Sequence, residues 1–100
     1  MKPFQLTSKA KSDLRQIATF TEKQWGRAQR NLYLKQIDDA FHLLADTPLA
    51  GKDCGYIKEG YRKFPQGSHV IFFLESEVHG IEVIRVLHKR MDIDTHFSSP

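Results

Sequence analysis

Apolar positions recur along the first half of the chain with a helical period. Ala10, Leu14, Ile17, Ala18, Thr21 and Trp25 follow one another at spacings of three and four, the stripe of an amphipathic helix. Before it, Phe4-Gln5-Leu6-Thr7 reads as a short strand, and Thr7 or Ser8 offers an N-cap oxygen to the open amides of the first turn. Gly26 stands where a helix stop is expected. A second stripe, Tyr33, Ile37, Ala40, Phe41 and Leu44, starts a helix near Arg27 and ends it before Pro48, which has no amide hydrogen to donate. Helices joined by so short a turn pack antiparallel.

The second half changes period. Residues 46–59 hold Pro48, Gly51 and Gly55 and read as a loop with Ile57 as an anchor. Strands are predicted over roughly 60–65, 69–75 and 81–88, joined by short hairpin turns at Gln66-Gly67-Ser68 and Ser76 to Gly80. The order β-α-α-β-β-β predicts an α+β fold, a small mainly antiparallel sheet with an N-terminal antiparallel helical hairpin on one face. The middle strand, Val70-Ile71-Phe72-Phe73-Leu74, does not alternate, although an antiparallel strand with one wet face should. In the last strand, strict alternation puts Ile81, Val83 and Leu87 on one face and Ile84 and Val86 on the other. The helices cover one face only. The expectation is a bare apolar face, made of Val70, Phe72 and Leu74 or else of Ile71 and Phe73. Either a partner covers it, or the tail folds back with Met91, Ile93 and Phe97.

Length and composition narrow this picture. One hundred residues, 40% hydrophobic and 27% charged, make a single globular domain over 1–100, with 88–100 as a C-terminal tail. The net charge of +3 permits an acidic or nucleic-acid partner without requiring one. A single cysteine, Cys54, excludes an internal disulfide and suits a reducing compartment, and its plain role is a core or loop filler. Met1-Lys2-Pro3-Phe4 lacks a signal-peptide run, and no stretch is apolar enough to span a membrane, so a cytoplasmic protein is expected. The histidines show no metal-ligand spacing, no glycine loop cradles a phosphate, and no cofactor is expected. His42 lies one helical turn after Asp38 and should pair with it, while His79 belongs to a hairpin loop. Trp25 and Tyr33 are read as core. Lys9, Lys11, Arg15, Arg27 and Arg30 are read as a solvated helix face.

Several strings carry a resemblance. Leu6-Thr7, Ala10 and Asp13-Leu14 open the first helix. Gly60-Tyr61-Arg62-Lys63-Phe64 and Val70-Ile71-Phe72-Phe73 follow, and then Ile84-Arg85-Val86-Leu87-His88-Lys89-Arg90-Met91-Asp92. With the element order, these resemble the toxins of bacterial type II toxin–antitoxin modules, the RelE/ParE superfamily, and within it the ParE branch. The resemblance implies the fold above. It also implies a poison of DNA gyrase that traps the enzyme on cut DNA and is silenced by a ParD-like antitoxin, with DNA touched only through antitoxin or gyrase. Under it, the tail residues His88, Lys89, Arg90, Met91, Asp92 and Phe97 are expected to poison gyrase. Arg62, Phe64, Phe72 and Arg85 are expected to bind antitoxin.

The RelE branch cuts messenger RNA on the ribosome, and that reading is the alternative. Such cleavage needs a general base, a general acid and cations around the phosphorane. This chain offers Val70 where the ribonuclease branch tends to carry arginine, and no tyrosine at its end. Arg62, Arg85, His88, Lys89 and Arg90 remain, a basic cluster with one imidazole and no positioned partner for it. Asp92 can pair with His88 if the tail turns helical. The sequence is read as an inhibitor that grips macromolecules and is not an enzyme.

Overall fold

The computed structural model describes residues 3–91. Strand β1 (Phe4–Leu6) leads into helix α1 (Ser8–Trp25) and helix α2 (Arg27–Asp46). A single 3-10 turn over Pro48–Ala50 follows, then β2 (Lys52–Asp53), β3 (Arg62–Gln66), β4 (His69–Ser76) and β5 (Gly80–His88). The architecture is the α+β arrangement anticipated, with β2 as an added short edge strand inside the segment read as a loop. The five strands lie in the order β1-β5-β4-β3-β2. β1 runs parallel to β5, and the other neighbours are antiparallel.

The start of α1 is fixed as the sequence suggests. Thr7 Oγ1 accepts the Ala10 amide at 3.0 Å. The helix ends at Gly26, whose φ of +91° is cheap only for a residue without a Cβ. Its amide donates to Glu22 O, and its own carbonyl accepts the Arg30 amide in the first turn of α2. One glycine therefore closes one helix and opens the next.

The helices lie on one face of the sheet. Ala10 and Ile17 of α1 and Ile37, Ala40, Phe41 and Leu44 of α2 pack against Ile71, Phe73, Ile81, Val83 and Val86. Strict alternation along the last strand fails here. Between Phe72 and Phe73 the β5 partner jumps from Arg85 to Val83, which leaves Ile84 as the extra residue of a β-bulge. Past the bulge the phase reverses. Val86 joins the helix side with Ile81 and Val83, and Leu87 turns away with Ile84.

The expectation of a bare second face is corrected. The chain covers it with its own loop: Cys54 and Tyr61, with Ile57 beside them, pack on Phe72 and Leu87 and on the half-buried Val70, Leu74 and Ile84. Ile57 serves as the anchor expected of it. The loop is tied into a compact turn, with Cys54 N donating to Tyr61 O at 2.9 Å, Ile57 N to Cys54 O at 3.0 Å and Tyr61 N to Lys58 O at 3.0 Å. The uninterrupted apolar run of β4 is therefore the signature of a strand covered on both faces from within one chain. Residues 92–100, the alternative cover, lie outside the described residues.

Gly51 meets the helix-side core at close quarters. A Cβ there would stand 2.6 Å from Phe73 Cε1, in still closer conflict with Cζ, and 3.3 Å from Lys63 O. Phe73 is fully buried and has nowhere to move. Gly51→Ala should therefore destabilise the fold by about 1–3 kcal/mol, the scale of overpacking a dense core. A urea titration checks this, and an unchanged midpoint would contradict the packing described.

Candidate functional site

Past Leu6 there is no β1 residue to pair with the outer edge of β5, and α1 takes over that edge. Thr7 N donates to Val83 O at 3.1 Å, and Thr7 Oγ1 donates to Ile84 O at 2.8 Å, at the bulge. Asp13, nearly two turns further along, accepts the Val86 amide on Oδ2 at 3.0 Å. The same carboxylate takes Arg85 in a two-pronged grip, Nε to Oδ2 at 2.8 Å and Nη2 to Oδ1 at 2.9 Å. Asp13 is 7% exposed. Its carboxylate raises the Arg85 pKa through the hydrogen bond and the charge, against the opposing effect of burial. Such bidentate pairs are the strongest charge-assisted hydrogen bonds available to a protein.

Beside this junction a groove of about 620 Å3 opens between the helices and the ends of β4 and β5. Its α1 wall carries Asp13, Gln16, Ile17, Phe20 and Thr21, with Trp25 at the helix end. Gln29 and Tyr33 come from α2, and Ser68, His69, Val86, His88 and Met91 from the strand ends. Three large apolar side chains stand open to water along it: Phe20 at 62%, Trp25 at 71% and Met91 at 43% exposure. Trp25 was expected in the core. The stripe is covered only as far as Thr21, and Trp25 sits at the corner of the hairpin beside Gly26, on the rim of the groove.

The polar end of the groove holds a compact cluster. The Tyr33 hydroxyl accepts the Ser68 amide at 3.1 Å and lies 3.0 Å from Gln66 O and 2.6 Å from His69 Nδ1. The His69 and His88 rings meet edge to face, with centroids 5.4 Å apart at 82°. Burial lowers the His69 pKa and the neighbouring His88 lowers it further, while Asp13 pulls the other way. Burial also raises the Tyr33 pKa, partly offset by the Ser68 amide. Both groups are thus held neutral near pH 7. His88 has a neighbour, His69, that the sequence did not reveal. Its Nδ1 is occupied by the Arg90 amide at 3.1 Å, and Arg85 is already spent on Asp13.

The residues expected to bind antitoxin do not share one open surface. Phe72 is 1% exposed under the Cys54–Tyr61 loop, so its expected role as a surface contact is corrected. Phe64 is half-buried against the helix-side core. Arg62 donates to Gly51 O at 2.9 Å and lies 3.9 Å from Glu75, and Arg85 holds Asp13. Of the expected tail, His88 and Met91 line the groove, and Lys89 and Arg90 are exposed beside it. Asp92 and Phe97 lie outside the described residues. His42 Nε2 does face Asp38, at 3.3 Å. Among the described residues no cluster of three or more histidine, cysteine, aspartate or glutamate side chains is placed to hold a metal, and no helix is long and apolar enough to cross a membrane.

The chain is similar to known proteins over nearly its whole length. The family of ParE toxins of type II toxin–antitoxin systems, parDE, matches residues 4–93. A Toxin ParE1 of Caulobacter vibrioides is 35% identical over 96% of this chain and 98% of its own. A Toxin ParE1 of Mycobacterium tuberculosis is 38% identical over 89% of this chain and 91% of its own. A solved chromosomal ParDE TA system from P. aeruginosa shares the fold with a TM-score of 0.74 at 18% identity, covering 88% of this chain and 96% of that one.

Asp13→Asn should be among the most damaging substitutions in the chain. It leaves Arg85 desolvated and unpaired, a loss of about 3–5 kcal/mol. Replacing both partners with apolar residues, Asp13→Leu with Arg85→Met, should recover the part of that loss owed to the unpaired guanidinium, but not the part owed to the Val86 amide, which loses its acceptor. Urea denaturation of the two single variants and the double closes the cycle, and a double variant as unstable as the sum of the singles would show that the two do not act as a pair.

Proposed function

The chain belongs to the ParE toxin family of type II toxin–antitoxin systems, and we propose that it poisons DNA gyrase and is silenced by a ParD-like antitoxin seated in the groove between its helices and strand ends. The observation that carries the groove assignment is the exposure of Phe20, Trp25 and Met91 along one continuous depression. Rings left open together cost water contact that a partner removes at about 25 cal/mol per Å2 of apolar area covered. The family's setting in parDE toxin–antitoxin systems supports the partner class. Cations lie near the groove: Arg15 and Lys23 line a shallow depression that shares Gln16 and Phe20 with it, and Lys89 and Arg90 flank Met91. An antitoxin segment with bulky apolar anchors and acidic flanks suits that setting.

Gyrase poisoning is assigned to the segment from His88 to Phe97, of which His88 and Met91 line the groove. The mechanism is a population shift in the cytoplasm: the toxin binds gyrase holding cut DNA better than gyrase holding sealed DNA, so broken ends accumulate. No bond is made or broken by the toxin. The mutual engagement of Asp13 with Arg85 and of Arg90 N with His88 Nδ1 favours this over ribonuclease chemistry, which needs a free imidazole and uncommitted cations around a phosphate.

Purified protein with gyrase, supercoiled plasmid and ATP should yield linear DNA after detergent and protease, and added antitoxin should suppress it. Intact gyrase cycling together with cleaved mRNA in a translation extract would reverse the assignment. Deleting 92–100 should abolish linear DNA while antitoxin still binds. Phe20→Glu with Trp25→Glu changes exposed positions, so folding should be spared, and antitoxin affinity should fall at least about tenfold, or about 1.4 kcal/mol. Unchanged affinity by calorimetry would move the antitoxin off the groove.

A further inference from the structure

The polar end of the groove has a property that binding alone does not use. His69 and His88 face each other across paired β4 and β5. His88 Nδ1 accepts the Arg90 amide, and an imidazole nitrogen accepts only while it carries no proton. That bond lies in the turn where Met91 N donates to His88 O at 2.9 Å, the turn that sets Met91 in the groove wall. A proton on His88 Nδ1 would set one donor against another and open this turn. Charging His69 as well would put two like charges in ring contact.

The charged and titratable groups around the pair give no relief. From α1 comes Asp13, already joined to Arg85 of β5. From α2 comes Tyr33, hydrogen-bonded to His69 and held neutral by burial. The turn after β5 adds two cations, Lys89, whose amide donates to Ser68 O, and Arg90.

We infer that the His69–His88 pair is a proton-sensitive latch on the groove: the neutral pair holds the Met91 turn closed and admits the antitoxin, and proton uptake opens the turn and loosens the antitoxin's hold. The direction of the effect follows from His69. Its folded-state pKa lies below the ordinary histidine value of 6.5, so its contribution to the closed state is complete above that value and is lost as pH falls through the lower folded value. A partner that removes water from the rings strengthens the demand for neutral imidazoles. Each proton that must leave costs up to about tenfold in affinity per pH unit below the free-state value, down to the lower bound-state value. The inference rests on the groove being the antitoxin's seat, and the test keeps the two apart.

In the free protein, the Arg90 and Met91 amide resonances should move together as pH falls from about 7.5 to about 5. In His69→Asn with His88→Asn, whose side-chain amides take up no proton in this range and at position 88 can still accept the Arg90 amide, those backbone amides should stay still. Imidazoles that titrate while both wild-type amides stay fixed would overturn the latch, whether or not antitoxin binds. In the complex, affinity for the purified ParD-like antitoxin should weaken at least about fivefold between pH 7.5 and 5.5 in the wild type and less than about twofold in the variant. Tight binding that is the same at both pH values overturns the latch and leaves the seat standing. Antitoxin that fails to bind at any pH overturns the seat, and the amide titration alone then decides the latch. Should the double variant not fold, His88→Asn alone makes the comparison.

Discussion

The structure depends on the outer edge of β5 being hydrogen-bonded after β1 runs out. A parallel neighbour exists only for Ile81 to Val83. Beyond it, Val83 O, Ile84 O and Val86 N would be left beside α1 with neither strand nor free water to satisfy them, which a fold does not tolerate. Thr7 and Asp13 supply the missing partners. The two lie nearly two turns apart on one face of the helix start, so they fix its height and rotation on the sheet together. The Asp13–Arg85 pair adds little net stability over an apolar pair of the same shape. Its use is in specification: a carboxylate aimed at one amide and one guanidinium accepts one register and rejects the neighbouring ones.

That anchoring explains why the groove is open. The first half of α1 is held to β5 by Thr7 and Asp13, and buried positions follow as far as Thr21. Its last turn runs past the cover to the Gly26 corner with Phe20 and Trp25 uncovered. The second sheet face has no such opening, because the Cys54–Tyr61 loop closes it. The apolar groove that carries Phe20, Trp25 and Met91 lies between the helices and the strand ends, and the sheet itself is packed on both faces by the chain's own elements.

Most of the fold was legible because its elements obey simple periods. Helix stripes, the Gly26 stop, the Pro48 break and the hairpin turns each follow from one local rule, and each appears near its expected place. Two of the strings that carried the family resemblance meet in space: Thr7 and Asp13 on one side of the α1–β5 junction, Ile84, Arg85 and Val86 on the other. What was not legible is what local rules do not contain. A single extra residue at Ile84 reverses the faces of Val86 and Leu87, and no pattern marks a bulge in an apolar run. Ile57 could be read as a loop anchor, but a loop with two glycines gave no sign that Cys54 and Tyr61 would join it to roof a sheet. The site left one unread signal. Asp13 sits between Ala10 and Ile17 at helical spacing, on the buried stripe, and a charge in that position must have a partner. His69 and Tyr33 left none, because their meeting depends on how the β3–β4 turn lies against α2.

The placement of the groove also bears on how, under the proposed function, one small surface of the toxin can govern another. Met91 belongs to both the groove wall and the root of the segment proposed to act on gyrase. An antitoxin filling the groove therefore lies against that root. Neutralisation on this reading needs no refolding of the toxin and no long-range coupling, since occupancy of one site blocks approach to the next. Competition of this kind is set by relative affinity and concentration alone. Whatever weakens the antitoxin's hold on Phe20, Trp25 and Met91, proton uptake at the histidine end of the groove included, frees the adjoining segment in the same step.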